Sequence, residues 1–313
     1  MRTETKKLQK VVAIVGPTAC GKTDWGLRLA QKYKGEIISA DSRQVYKKMD
    51  IGTAKAPGEW RRNGLRSTYY VHDIPHHLMD FLDPGKQFTV AEFRDKAIKY
   101  SKLAHKNNRI PFIIGGTGLY MYAFTSNLQI PRVAPNKKLR KSLEEKTNKE
   151  LMRWLESLDP KTAKAVDENN KRRIIRALEV CILSGTPFSE QQTKGDTIFN
   201  FLQIGIEVDR EVLYKRIEKR VQEMFDMGLL KEVEALLKQK YAWELPSMSG
   251  IGYSQFKEYF EGKISLEEVK EKLKRDTRRY AKRQLTWFKR DKNIVWCKDY
   301  KEADELVKNF LKD

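Results

Sequence analysis

The sequence predicts an α/β protein, a parallel sheet with helices on both faces that carries a helical insert. Three observations predict it. Short β-branched runs alternate with amphipathic helical patterns, a glycine-rich loop joins the first strand to the first helix, and a long strand-free stretch interrupts the alternation once.

In chain order, the strand patterns are VVAIV (11–15), EIISA (36–40), PFIIGG (111–116), FLQIGIEV (201–208) and NIVWC (293–297), each bounded by Gly or polar residues. Helical periodicity is clearest at 89–107, 210–240 and 266–290. The third and fourth strands are too far apart for neighbouring βαβ units. Between them LRKSLEEKTNKELMRWLESL and NKRRIIRALEVCILSG read as helices, the second stopped by Gly185. In that second helix Ile174, Ile175, Leu178 and Ile182 form a buried stripe, with Lys171, Arg172, Arg173 and Arg176 clustered near its start. The expected organisation is thus a core from 1–125, an insert from 126–196, and the rest of the core from 197–313.

Lys and Arg number 62 against 42 Asp and Glu, a net charge of +20, which points to a polyanionic partner. At 40% hydrophobic residues the chain can build a core, so it is no disordered basic tail. No apolar run is long enough for a membrane span. Cys20, Cys181 and Cys297 are odd in number and widely spaced, which excludes a disulfide framework or zinc finger and suggests a reducing cytoplasm. Segment 270–292 holds eleven Lys or Arg against three Asp or Glu, an excess suited to a phosphate backbone. Within it Leu273, Tyr280 and Trp287 fall at helical spacing and are expected in the core.

The strongest motif is GPTACGKT (16–23), which fits GxxxxGK[ST] between a strand and a helix. Gly16 and Gly21 let backbone N–H groups converge on phosphate oxygens at a helix N-terminus, Lys22 bridges phosphates and Thr23 holds Mg²⁺. A diphosphate is therefore expected here, although kinases, motor ATPases and diphosphate-releasing transferases all use such a loop. The second strand ends in DSRQVY (41–46), at the edge where ligands collect in open α/β sheets. On residue type alone Asp41 is a Mg²⁺ ligand, a general base or a helix cap. The third strand ends in GGTGLY (115–120), whose glycines imply a close backbone approach.

These segments in this order, with RVQEMFDMGLLKEV (220–233) and SGIGYSQF (249–256), resemble the bacterial tRNA dimethylallyltransferases over nearly the whole chain. The resemblance implies a P-loop kinase-like core in which Gly16, Pro17, Thr18, Ala19, Cys20, Gly21, Lys22 and Thr23 hold the diphosphate of dimethylallyl diphosphate, with Mg²⁺ as cofactor. It implies transfer of the dimethylallyl group to the exocyclic amine of adenosine 37 in tRNA, just 3′ of the anticodon. Asp41 would be the general base, Gln44 would hold the flipped adenine, and Ser42 and Arg43 would face tRNA. Lys22, Thr23 and Arg220 would serve the diphosphate. Thr117, Arg140 and the run Asn169, Asn170, Lys171, Arg172 and Arg173 would contact the anticodon stem-loop, which the insert grips. The enzyme would act as a cytoplasmic monomer with no membrane partner. The rival readings are a small-molecule or nucleoside kinase, which leaves the insert and the charge unexplained, and a nucleic-acid-dependent ATPase, for which no Walker B segment is evident.

Overall fold

The computed structural model describes residues 8–64 and 66–312. The chain divides into two compact units, one running to Phe124 and resuming at Ile198, the other Thr125–Thr197.

The first unit is built on an eight-stranded sheet of order β3-β4-β5-β2-β6-β1-β7-β8. Five strands coincide with the expected runs: β1 (Lys10–Val15), β2 (Gly35–Ser39), β6 (Ile110–Gly115), β7 (Asn200–Ile206) and β8 (Ile294–Cys297). Every pairing among these five is parallel. Three further strands, β3 (Glu59–Asn63), β4 (Arg66–Val71) and β5 (Ile74–His77), extend the sheet beyond β2. β5 runs parallel to β2, whereas β4 is antiparallel to both its neighbours, so the sheet is not wholly parallel. EWRRN and IPHH carry charge, histidine and proline in place of a β-branched run, and so give no strand signal.

β1 alternates between the two layers, as the strand period of two requires. Val12 and Ile14 pack on α1 (Lys22–Lys32), α9 (Arg210–Asp226) and α13 (Tyr300–Lys312), through Leu29, Ile217 and Val307 among others. Val11, Ala13 and Val15 face α2 (Val90–Lys106) and α3 (Gly118–Thr125), through Phe93, Ala97 and Phe124. α2 begins in a capping box of Thr89 and Glu92. The pattern over 210–240 is two helices, because Gly228 separates α9 from α10 (Leu229–Lys238) in the left-handed region at φ 95°. The long basic helix is α12 (Leu266–Phe288), and it packs Leu273 into a cluster with Val221 and Met224 of α9.

The insert holds α4 (Lys137–Glu144), α5 (Asn148–Leu158), α6 (Pro160–Ala165), α7 (Lys171–Ser184) and α8 (Phe188–Gln191). Its core is Leu143, Leu151, Leu155, Ile174, Ile175 and Leu178. Ile182 departs from the expected stripe at 44% exposure, because Cys181 takes the buried position in the last turn before Gly185. Glu179 is fully buried yet saturated. It accepts from Arg140 Nε at 2.8 Å and Nη2 at 2.7 Å, from Arg176 Nη1 at 2.7 Å and from the Asn136 N–H at 2.7 Å. Despite burial, these donors hold its pKa down at about 2. A carboxyl whose folded pKa is depressed stabilises the fold above its unfolded pKa and ceases to do so as pH falls through the folded value. Glu179→Ala should therefore cost about 2–3 kcal/mol, the scale of hydrogen bonds to charged groups, at neutral pH. Thermal unfolding should show the difference from wild type shrinking as pH drops from 5 towards 2.

Candidate active site

Three loops meet at the carboxyl edge of β1, β2 and β6. The first follows β1. Gly21 sits at φ 105°, a backbone that a side chain would strain, and it turns the chain so that α1 starts at Lys22. Lys22 folds back over the loop, its ammonium donating to the Pro17 carbonyl and lying 3.8 Å from Cys20 Sγ. Thr23 is exposed on the first turn of α1. Its hydroxyl is an oxygen donor of the kind Mg²⁺ takes, and no His, Cys, Asp or Glu trio stands among the described residues to bind a metal unaided. The set fits a cation shared with a diphosphate.

Two arginines from α9 reach the same loop. Arg220 Nη1 lies 3.5 Å from Thr18 Oγ1, and burial lowers its pKa from the ordinary value. Arg216 Nη1 donates to the Cys20 carbonyl at 3.4 Å. Arg216 gave no motif signal in sequence, although its position one helical turn before Arg220 puts both on one face.

The second loop follows β2. Asp41 Oδ1 accepts the N–H groups of Arg43 at 2.8 Å and Gln44 at 3.3 Å, capping a turn and not a helix. That use occupies one oxygen, so capping leaves Oδ2 for chemistry. Arg43 is engaged by the Pro246 carbonyl and by Ser249 Oγ at 3.4 Å. Gln44 Nε2 donates to the carbonyls of Thr53 at 3.1 Å and Ala54 at 3.2 Å.

The third loop follows β6. Thr117 Oγ1 accepts from the Ser42 N–H at 3.1 Å and lies 3.4 Å from Ser42 Oγ, tying the second and third loops. At Gly115 a Cβ would collide with the Ala40 backbone, which is the close approach that the glycine run foretold. The first and third loops are tied by Gln284 of α12, a residue without any sequence signal. Its Oε1 accepts the Thr18 N–H at 2.8 Å and its Nε2 donates to the Gly116 carbonyl at 2.8 Å.

A pocket of about 300 Å³ opens beside the first two of these loops. Thr18, Asp41, Ser42, Arg43, Arg220 and Arg283 make its polar part, while Ile217, Val221, Met224, Ile251 and Leu273 make an apolar wall. Tyr280 also lines it, so this side chain faces the site and not the core. Burial and the nearby Asp41 charge push the Tyr280 phenol up to about 12, so it is a neutral donor. Trp287, also expected inside, is 37% exposed, with its ring packed against Gly118. Leu273 is buried as expected.

The remaining expected residues belong to the insert and form a group of their own at the start of α7. Asn170 caps the helix, Asn169 donates its N–H to Asp167 Oδ1 and Lys171 reaches the Glu144 carbonyl at 2.7 Å. Arg172 and Arg173 point outward, exposed. Arg140 is committed to Glu179, a pairing that sequence periodicity does not reveal.

Gln284→Leu would take the partner from the part-buried Thr18 N–H and from the buried Gly116 carbonyl, at about 1–3 kcal/mol for the buried carbonyl. The variant should unfold at a lower temperature and bind inorganic diphosphate more weakly, measured by calorimetry, and an unchanged affinity would show that the loop is shaped without it.

Residues 44–291 match the IPP transferase family and residues 9–73 the isopentenyl transferase family. The chain is 43% identical to a tRNA dimethylallyltransferase of Acetivibrio thermocellus over 312 residues, covering 97% of this chain and 96% of the relative. It is 44% identical to that of a Roseiflexus species over 290 residues, covering 91% and 92%. Among solved structures, the tRNA isopentenylpyrophosphate transferase of Bacillus halodurans superposes with a TM-score of 0.68 at 38% identity, covering 97% and 96%. A eukaryotic dimethylallyltransferase acting on tRNA gives 0.74 at 27% identity, covering 97% of this chain and 77% of that one. With most of its length matched in this way, the chain belongs to the IPP transferase family.

Proposed function

We propose that this protein transfers the dimethylallyl group of dimethylallyl diphosphate to the N6 amine of adenosine 37 in tRNA and releases diphosphate. The observation that carries this reading is that a phosphate-binding loop and a carboxylate with one uncommitted oxygen, Asp41, line a single pocket with an apolar wall. Its relatives are tRNA dimethylallyltransferases, and the net charge of +20 suits an RNA substrate.

An adenine amine is a poor nucleophile because its lone pair is delocalised into the ring, whereas an allylic carbon ionises readily once its leaving group is stabilised. The protein's main task is to accept the negative charge that gathers on the diphosphate as the carbon–oxygen bond breaks. Lys22, Arg220 and Arg216, which all reach the loop after β1, would supply that charge. Thr23 would help to hold Mg²⁺, which would supply further charge neutralisation when bound. The apolar wall keeps water from the allylic carbon. As N6 bonds to that carbon it becomes cationic, and Asp41 Oδ2 takes its proton. Gln44 would hold the flipped base and Thr117 would contact the tRNA, while Arg172 and Arg173 of the insert offer charge to the stem-loop phosphates. Arg140, bound to Glu179, shapes the insert as well as offering charge.

A reducing cytoplasm suits the three free, buried cysteines, and we read the enzyme as a monomer. Among the described residues no helix is long and apolar enough to cross a membrane.

Asp41→Asn separates the two uses of the side chain. Its remaining carbonyl still accepts from Arg43 and Gln44, so the turn survives, but no proton can be taken. Single-turnover transfer should fall by about 10²-fold or more with both substrate affinities retained. Near-normal transfer would remove Asp41 from the mechanism. In the insert, neutralising Arg172 and Arg173 together should weaken tRNA binding and flatten the slope of log K against log salt by about one unit per charge. Filter binding across a salt series measures this, and an unchanged slope would turn these arginines away from the RNA.

A further inference from the structure

We propose that Glu232 is a positioning residue for base recognition, setting the loop 50–54 and, through it, the polarity with which Gln44 meets the target base. This rests on the adenosine-modifying reading above. Glu232 stands in the first turn of α10 and is not part of the pocket lining. One carboxylate oxygen accepts the N–H groups of Asp50 at 2.9 Å and Ile51 at 2.8 Å. The other accepts the Gly52 N–H at 3.0 Å and the Tyr253 hydroxyl at 2.7 Å. Three consecutive backbone N–H groups thus converge on one carboxylate, the way in which a turn of chain cradles an anion. The other flank of the loop is fixed by Lys55, whose buried ammonium donates to Asp50 Oδ1 at 2.6 Å, Asp80 Oδ1 at 2.7 Å and the Tyr46 carbonyl at 2.6 Å.

What the loop does follows from its carbonyls. Gly52, Thr53 and Ala54 line the pocket, and the Thr53 and Ala54 carbonyls both accept from Gln44 Nε2. A carbonyl oxygen can only accept, so the two together fix which end of the Gln44 amide faces the loop. The Gln44 Oε1 oxygen is left for the base. An acceptor at that place pairs with the exocyclic amine of adenine and repels the carbonyl oxygen that guanine bears on the same ring carbon. With the loop released, the Gln44 amide could turn and offer its N–H groups to guanine.

The test uses Glu232→Gln, which sets an amide against N–H donors, and Tyr253→Phe, which removes one donor from the carboxylate. The readout is a ratio: the inhibition constant of an anticodon stem-loop RNA with guanosine at the target position, divided by the KM of the adenosine stem-loop. Glu232→Gln should lower this ratio about tenfold, the discrimination of one base contact. Tyr253→Phe should lower it less, and KM for dimethylallyl diphosphate should not change in either. A merely structural defect reduces the active fraction, and so kcat, while leaving the ratio alone. A folded Glu232→Gln protein with the wild-type ratio would overturn the proposal. If that variant does not fold by circular dichroism, the Tyr253→Phe ratio decides in the same way. A wild-type protein that fails to prenylate the adenosine stem-loop at all would overturn the underlying reading, and this proposal with it.

Discussion

The register of three adjacent parallel strands is the constraint on which the rest of the site depends. Val15 at the end of β1 stands opposite Gly115 of β6, and Ser39 at the end of β2 stands opposite Ile114. Because the strands are parallel and end level, the loops that follow them emerge side by side. A one-residue slip in β2 or β6 would turn every side chain to the other layer and carry Asp41 or Thr117 away from the phosphate-binding loop. The closeness then exacts its own requirement, since the backbone of Ala40 lies against Gly115 and admits nothing larger than hydrogen there.

Strand register aligns the loops but does not lock them, and the lock comes from α9 and α12. Gln284 joins the first loop to the third through one amide that donates at one end and accepts at the other. Arg216 and Arg220 bring positive charge to a loop that already concentrates backbone N–H groups. Burial makes the Arg220 charge costly and lowers its pKa, a cost that an anion beside it would offset. A site so built favours a state with negative charge in the loop over one without, which is the direction in which a diphosphate leaving group moves during ionisation.

The legible part of the structure was the part in which local chemistry carries the signal. Five strands, α2 and α12 follow from period and punctuation, and GPTACGKT announces its own loop. β3 and β5 were not legible because ladder hydrogen bonds, and not side-chain pattern, hold them to the edge of β2. Gln284 and Arg216 were hidden because their partners, Thr18 and Cys20, lie far away in the chain. Tyr280 was misplaced for a related reason. Periodicity shows that α12 has an inner face but not that part of this face borders a pocket. Glu179 is the sharpest case, since a carboxylate in an apolar stripe makes sense only once Arg140 and Arg176 are seen around it.

The same helices also explain how one pocket can be polar and apolar at once. Arg220 and its neighbours Ile217, Val221 and Met224 occupy one face of α9, so a cation and three apolar side chains enter the cavity together. On α12 the lining runs from Leu273 through Thr277 and Tyr280 to Arg283, apolar at one end and cationic at the other. Such a gradient, within a few ångströms, suits the substrate proposed above, a diphosphate head on a hydrocarbon tail. Turns of regular helix supply it more rigidly than loops could, and a rigid gradient keeps the charged head and the reactive carbon in fixed relation while the bond between them breaks.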